Sequence, residues 1–352
     1  MGINYNWVMK TNSSKKKRPS MKDVAQQAGV SRTTVSFVIN KVPNANIPQE
    51  TQDRVWAAVD ELDYRPNALA RGLRAQRTHA IGFVSDEVAT TPYAGNMIQG
   101  AQDQAWIHDN IILLVNTGSN QEMKKTAVNM MLERQVDGII YATMYHREVH
   151  PPAEINQVPA VLLDCFVADR SLPSVVPDEV AGGQQAAEYL LQKGHRRIGF
   201  ISDAADVPAR HGRLQGYKNA LAANHISFVP EFVFHGTSNP NGGYDAAMTL
   251  MKLPVPPTAL FCYNDRMAMG AYDALRKLNL SIPDDVAIIG FDNQEIIAAY
   301  LYPPLTTMQL PHYEMGKWAV NTLLQLINNP DEKQFSPVQV MLPCPLVERE
   351  SV

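Results

Sequence analysis

Most of this 352-residue chain alternates short apolar runs with amphipathic stretches. Seven runs, at 80–85, 111–116, 138–142, 160–164, 197–202, 259–262 and 286–291, are apolar at nearly every position and rich in β-branched residues. Runs of that length predict strands buried on both faces. Between them, helical spacing predicts helices at 96–108, 124–135, 183–193, 213–224, 243–253, 265–278 and 313–328. Repeated βα units of this kind predict an α/β fold of doubly wound parallel sheets. Their extent, from 79 to 352, predicts two lobes rather than one.

The first eighty residues have a different texture. In Ser20–Asn40, Val24, Ala25 and Ala28 form one apolar face and Val35, Val38 and Ile39 another, with a turn at Gly29 between them. Ser20 with Asp23 predicts a capping-box start, and Ser31 can cap the second helix. Arg32, Thr33, Ser36 and Phe37 are expected to point outward. This is the plan of a helix-turn-helix whose second helix enters the DNA major groove, although an αα-hairpin inside a core would share its periodicity. A third helix is expected at Gln49–Leu62, ended by Tyr64-Arg65-Pro66. Asn67–Arg74 then has few residues to bury and predicts a helix that is marginal alone.

Charge favours the DNA reading. Residues 1–78 carry a net charge of +7 and the remainder −11, so the overall −4 hides a basic head on an acidic body. A basic segment attracts phosphates and releases their counterions. The run Lys15–Arg18 reads as part of a disordered tail over 1–18. Three widely spaced cysteines provide no disulfide framework and no zinc spacing. No apolar run approaches the length of a membrane span and no signal-peptide core is visible, so the cytoplasm is the expected location.

In open α/β sheets, ligands bind beyond the carboxyl ends of the strands. Polar residues at such positions are Ser85, Asp86, Asn116, Asp164, Ser202, Asn264, Asp265 and Asp292. No GxGxxG after a strand, P-loop, GxSxG or HExxH is present, so no catalytic residue, metal or cofactor is expected.

The ordered motifs KDVAxxAGVSxxTVSxVIN (22–40), YRPNALARGL (64–73), GHRRIGFI (194–201), RLQGYKNAL (213–221), NDRMAMGAYDAL (264–275), IPDDVAIIGFDN (282–293) and PPLTTM (303–308) resemble the LacI-type transcriptional regulators over about 18–350. The resemblance implies a helix-turn-helix head at 19–65, a hinge helix and linker at 66–78, and a periplasmic-binding-protein-like core at 79–352. It implies lobes of 79–175 with 307–336 and of 176–306 with 337–352, the chain crossing near 175, 306 and 336. The function implied is a repressor whose operator affinity is switched by a small effector held between the lobes.

By motif position, Arg32, Thr33 and Phe37 are base-reading candidates. Ser20, Thr34, Ser36 and Asn40 are phosphate contacts. Arginine suits guanine, whereas a phenylalanine can touch a thymine methyl but cannot hydrogen-bond; packing against the hinge or third helix is the other role open to Phe37. Leu73 stands where the family inserts a minor-groove lever, with Asn67, Ala70 and Arg71 expected to pack between paired hinges or touch the DNA backbone. That arrangement implies a homodimer on a pseudo-palindromic double-stranded operator. For the effector, Arg213 is the expected anchor, with Asn264, Asp292, Asp164 and Tyr93 as companions. Carboxylates with arginine and asparagine suit a polyhydroxyl ligand, a sugar or sugar derivative. Ser238 stands where sugar- and purine-binding members supply a stacking ring, so Tyr93, Tyr145 or Phe166 would have to replace it, and a nucleobase stays open as the alternative. A binding protein for solute uptake shares the core but not the basic head.

Overall fold

The computed structural model describes residues 19–43, 45–65, 77–91, 93–329 and 339–352. The chain divides into two compact units, 1–78 and 79–352. The expected tail at 1–18 and the hinge residues Asn67, Ala70, Arg71 and Leu73 lie outside the described residues, as does the crossing near 336.

In the first unit, α1 (Met21–Ala28), α2 (Arg32–Ile39) and α3 (Gln49–Glu61) enclose one small core of Val24, Val35, Val38, Val55, Ala58 and Tyr64. The Ser20–Asp23 capping box is formed, with Ser20 N–H donating to Asp23 Oδ2 at 2.7 Å. Gly29 ends α1 at φ +67°, a backbone region that costs a side chain but not glycine. Thr34 N–H donates to Ser31 Oγ at 3.0 Å, which caps α2.

The second unit holds two six-stranded sheets. The first contains β1 (Ala80–Ser85), β2 (Ile111–Asn116), β3 (Gly138–Glu148), β4 (Ala160–Phe166), β5 (Ser174–Pro177) and β11 (Gln339–Leu342), all parallel, in the order β11-β5-β4-β3-β1-β2. The second contains β6 (Ile198–Asp203), β7 (Val233–Gly236), β8 (Ala259–Cys262), β9 (Ala287–Asp292), β10 (Thr306–Gln309) and β12 (Leu346–Val347), in the order β12-β10-β9-β8-β6-β7, with only β12 antiparallel.

Each sheet is covered on both faces. On the first, α4 (Gly95–Ile107) and α11 (His312–Asn328) pack on one side and α5 (Gln121–Glu133) on the other. On the second, α8 (Pro240–Leu250) and α9 (Asp265–Lys277) oppose α6 (Glu179–Gln192) and α7 (Pro208–Ala223). A short α10 (Glu295–Ala298) follows β9.

The lobe boundaries differ from those expected. Val176 and Pro177 still pair in the first sheet, Thr307–Gln309 lie in the second, and Gln339–Leu342 return to the first. The chain therefore crosses after Pro177, after Gln309 and between Leu342 and Leu346. The four-residue strands SVVP, TTMQ and QVML are too short and mixed to register as apolar runs.

Candidate functional site

In the head unit, the exposed face of α2 carries Arg32, Thr33 and Phe37, with Asn40 just past its end. Phe37 is 39% exposed and shares a shallow hollow with Val42 and with Trp56 of α3, both 38% exposed. Its ring is thus open to solvent beside α3, a placement compatible with either role open to it. Ser36 departs from the outward placement expected of it and is 8% exposed. Position 36 follows Val35 and lies three residues before Ile39, on the margin of the buried face. Asn40 Nδ2 donates to its carbonyl at 2.8 Å and its hydroxyl at 3.2 Å. Thr34 is half-buried, its hydroxyl 2.9 Å from Ser31 Oγ, and Ser20 Oγ donates to Asp23 Oδ2 at 2.7 Å. The surface left by α2 is thus one guanidinium, one hydroxyl and one aromatic ring, with backbone N–H groups at the helix start that suit phosphate.

In the core unit, a cavity of about 310 Å³ opens between the two lobes. All five expected effector residues, Tyr93, Asp164, Arg213, Asn264 and Asp292, line it. So do Glu179, Asp203, His146 and Arg266, which were not expected. Glu179 is the first residue of α6, four residues before the expected start at 183, and Asp203 ends β6 one residue beyond its apolar run. The acidic pair Asp178-Glu179 directly after a strand was the available signal for the former.

Arg213 is 3% exposed and fully engaged. Its Nε and Nη2 donate to Glu179 at 2.6 and 3.2 Å, and Nη1 donates to the Tyr263 carbonyl at 2.5 Å. Nη1 also lies 3.5 Å from Asp292 Oδ1. The guanidinium sits 3.7 Å from the centre of the Phe291 ring. Burial alone would lower its pKa, but Glu179, Tyr263 and Asp292 outweigh burial and hold it raised.

The carboxylates behave oppositely. Burial raises Asp292 to about 6, against Arg213 and a hydrogen bond from Gln294 Nε2 at 2.9 Å. Burial, then Glu179, raises Asp164 well above the ordinary range. Asp164, two residues before the end of β4, and Asp292, the last residue of β9, have positive φ of +59° and +106°, conformations that a functional site commonly retains. Asn264 caps α9 through Met267 N–H at 2.8 Å and donates to Ser238 Oγ at 2.6 Å. Asp265, the first residue of α9, is not among the residues that line the cavity. It accepts from Gln294 N–H and Thr307 Oγ1, each at 2.6 Å, and so braces the loop that carries Asp292. Ser85 and Asn116 bond each other, and Asp86 pairs with Arg147. Tyr93 stacks on His312 with ring centres 5.8 Å apart. His312 itself is buried, which lowers its pKa to about 4.

Among the described residues, no group of His, Cys, Asp and Glu is arranged to hold a metal ion. No helix there is long and apolar enough to cross a membrane.

The family model for bacterial regulatory proteins of the lacI family matches residues 20–67, and that for a periplasmic binding protein-like domain matches 187–352. The ribose operon repressor of Escherichia coli (strain K12) is 34% identical over 320 residues, covering 90% of this chain and 95% of the relative. The HTH-type transcriptional repressor PurR of Escherichia coli O139:H28 (strain E24377A / ETEC) is 34% identical over 336 residues, covering 95% and 96%. Among solved structures, the lac repressor dimer bound to operator and the anti-inducer ONPF aligns with a TM-score of 0.78. It is 27% identical and covers 95% of this chain and 99% of that one. The head, the two-lobed core and these relatives agree: the chain belongs to the LacI family of DNA-binding transcriptional repressors.

Proposed function

We propose that the chain acts as a homodimer on a pseudo-palindromic operator, and that a small polyhydroxyl effector in the inter-lobe cavity switches its operator affinity. The observation that carries the effector reading is the convergence of Asp164, Arg213, Asn264 and Asp292 on one cavity, with Asp164 Oδ1 buried and unpartnered. Such an acceptor costs free energy until a donor reaches it, and a sugar hydroxyl is such a donor. The cavity volume falls at the low end of small-molecule sites, which suits a single sugar ring.

The relatives are a ribose operon repressor and the transcriptional repressor PurR. A sugar is favoured by the unpartnered Asp164 Oδ1, which a hydroxyl can satisfy, and Ser238, in place of a ring, accepts from Asn264 at the cavity wall. The base-reading side chains are Arg32, Thr33 and Phe37. Exposed apolar side chains on each lobe, Trp106, Ile107 and Ile111 on one and Tyr300 and Tyr302 on the other, support pairing of two copies. Calorimetric titration of the full chain with pentoses, hexoses and hypoxanthine tests the effector class. Micromolar binding of one sugar, lost in Asp164→Asn, is the expected result. Binding of hypoxanthine in preference to every sugar overturns it.

A further inference from the structure

The two walls of the effector cavity use their polar atoms differently. On the second-lobe wall, Arg213 is paired with Glu179, Asn264 with Ser238 and Asp292 with Gln294, and Arg266 Nε is buried without a partner among the described residues. On the first-lobe wall, Asp164 Oδ1 and both ring nitrogens of His146 are buried without a hydrogen-bond partner among the described residues.

His146 reaches that wall through a break in β3. Pairing with β4 runs regularly to Ala142 opposite Leu163 and resumes at Arg147 opposite Cys165. Four residues, Thr143–His146, therefore stand opposite Asp164 alone. The bulge is pinned rather than loose. Thr143 Oγ1 donates to the Asp164 carbonyl at 2.8 Å, and Met144 N–H donates to Asp86 Oδ1 at 3.0 Å. Asp86 also pairs with Arg147, where the ladder restarts. Behind the bulge, the Phe166 ring meets the His146 ring edge-on at 5.5 Å, and the Arg170 guanidinium lies 4.3 Å from the Phe166 centre. Bulges re-aim side chains, and a pinned bulge aims them reproducibly.

We propose that His146 is a specificity-determining residue of the effector site and works with Asp164 as one recognition pair for effector hydroxyls. The proposal rests on the reading of this cavity as the effector site. Burial lowers the imidazole pKa, with Glu179 opposing and Arg170 and Arg213 adding to the shift. A neutral ring has one donor and one acceptor nitrogen, the same pair of capacities as a hydroxyl. Selectivity then comes mainly from the first lobe, where three of these four unpartnered atoms lie.

The test is calorimetric titration of wild type, His146→Ala, His146→Gln and Asp164→Asn with D-ribose, D-arabinose, D-xylose, 2-deoxy-D-ribose, D-glucose and hypoxanthine. The expected result is at least a tenfold loss of affinity for the bound sugar in His146→Ala and partial recovery in His146→Gln. The preference among sugars that differ at one hydroxyl should collapse in His146→Ala, while the melting temperature of the free protein stays nearly unchanged. A His146→Ala protein that binds the sugar within twofold of wild type and keeps the same preference overturns the inference. If Asp164→Asn abolishes binding in that case, the effector-site reading survives. Wild-type protein that binds none of these probes overturns both.

Discussion

Truncating Arg213 to alanine strands Glu179 in the interior with no counter-charge, because both are almost fully buried and doubly hydrogen-bonded. Breaking a buried pair from one side costs about 3–5 kcal/mol. Arg213→Ala should therefore lower stability in urea unfolding by about that amount and should also lose effector binding. The pair Arg213→Met with Glu179→Leu should recover most of the stability and still fail to bind, which separates the two roles. Asp292 provides a pH signature. Its carboxyl binds a proton more readily in the folded chain than in the unfolded one, where the value is about 4. Its contribution to stability is thus complete below pH 4 and is lost as pH rises through about 6. Asp292→Asn lacks this titration, so wild-type stability minus variant stability should fall between about pH 4 and 7 and be flat above. Urea unfolding across that range measures it, and a difference that rises with pH would contradict the assignment. In the head, Phe37 presents a ring with no hydrogen-bonding atom. Phe37→Arg should shift preference towards guanine at one symmetric operator position by about 1–3 kcal/mol, read by selection from randomised half-sites.

At the scale of elements, α6 and α7 set the distance between Glu179 and Arg213, and they approach closely because two glycines lie between them. A Cβ at Gly216 would stand 2.2 Å from the Val180 carbonyl oxygen, and one at Gly183 would stand 2.5 Å from that of Arg213. Neither contact can be relieved by a side-chain rotation, so the helices must separate. Gly216→Ala should lower the melting temperature and also weaken effector binding, whereas Gly95→Ala, where a Cβ meets nothing within 4 Å, should do neither. The same scale explains what was legible in the sequence. The long buried strands announced themselves as unbroken apolar runs, and Asp164 and Asp292 were found because each ends such a run. Strands β5, β7, β10, β11 and β12 hold two to four residues each, and those as long as β8 mix in polar, glycine or proline residues, so no apolar run shows. Glu179 was hidden behind β5 for that reason. His146 was hidden because the apolar run of β3 stops at Ala142, whereas its pairing resumes five residues later around a bulge, which leaves no mark in hydrophobicity. Ser36 was misplaced because a hydroxyl at the margin of a helical face looks the same inside and out.

At the scale of the whole molecule, the head and the core carry charges of opposite sign, and this separates two kinds of binding by their response to salt. Operator binding through the basic segment neutralises phosphates and releases counterions, so its affinity should fall steeply between 50 and 200 mM salt. Effector binding meets charges already paired and buried, Arg213 with Glu179 and Asp292, which mobile ions screen little. Its affinity should change by less than about twofold over the same range, a small fraction of the effect on DNA. The switch itself is a coupling free energy, typically about 1–3 kcal/mol, or 5–150-fold in affinity. Linkage requires reciprocity: whatever factor an effector, on the proposed reading a sugar, imposes on operator affinity, the operator must impose on effector affinity at the same salt concentration. Fluorescence anisotropy on labelled operator gives the first ratio, and calorimetry of the sugar with and without saturating operator gives the second. Equal ratios place the switch in a two-state equilibrium shared by both ligands. A sugar that changes operator affinity while operator leaves sugar affinity untouched would break the cycle. It would move the effect into a third process, such as dissociation of the dimer at the low concentrations of the anisotropy measurement.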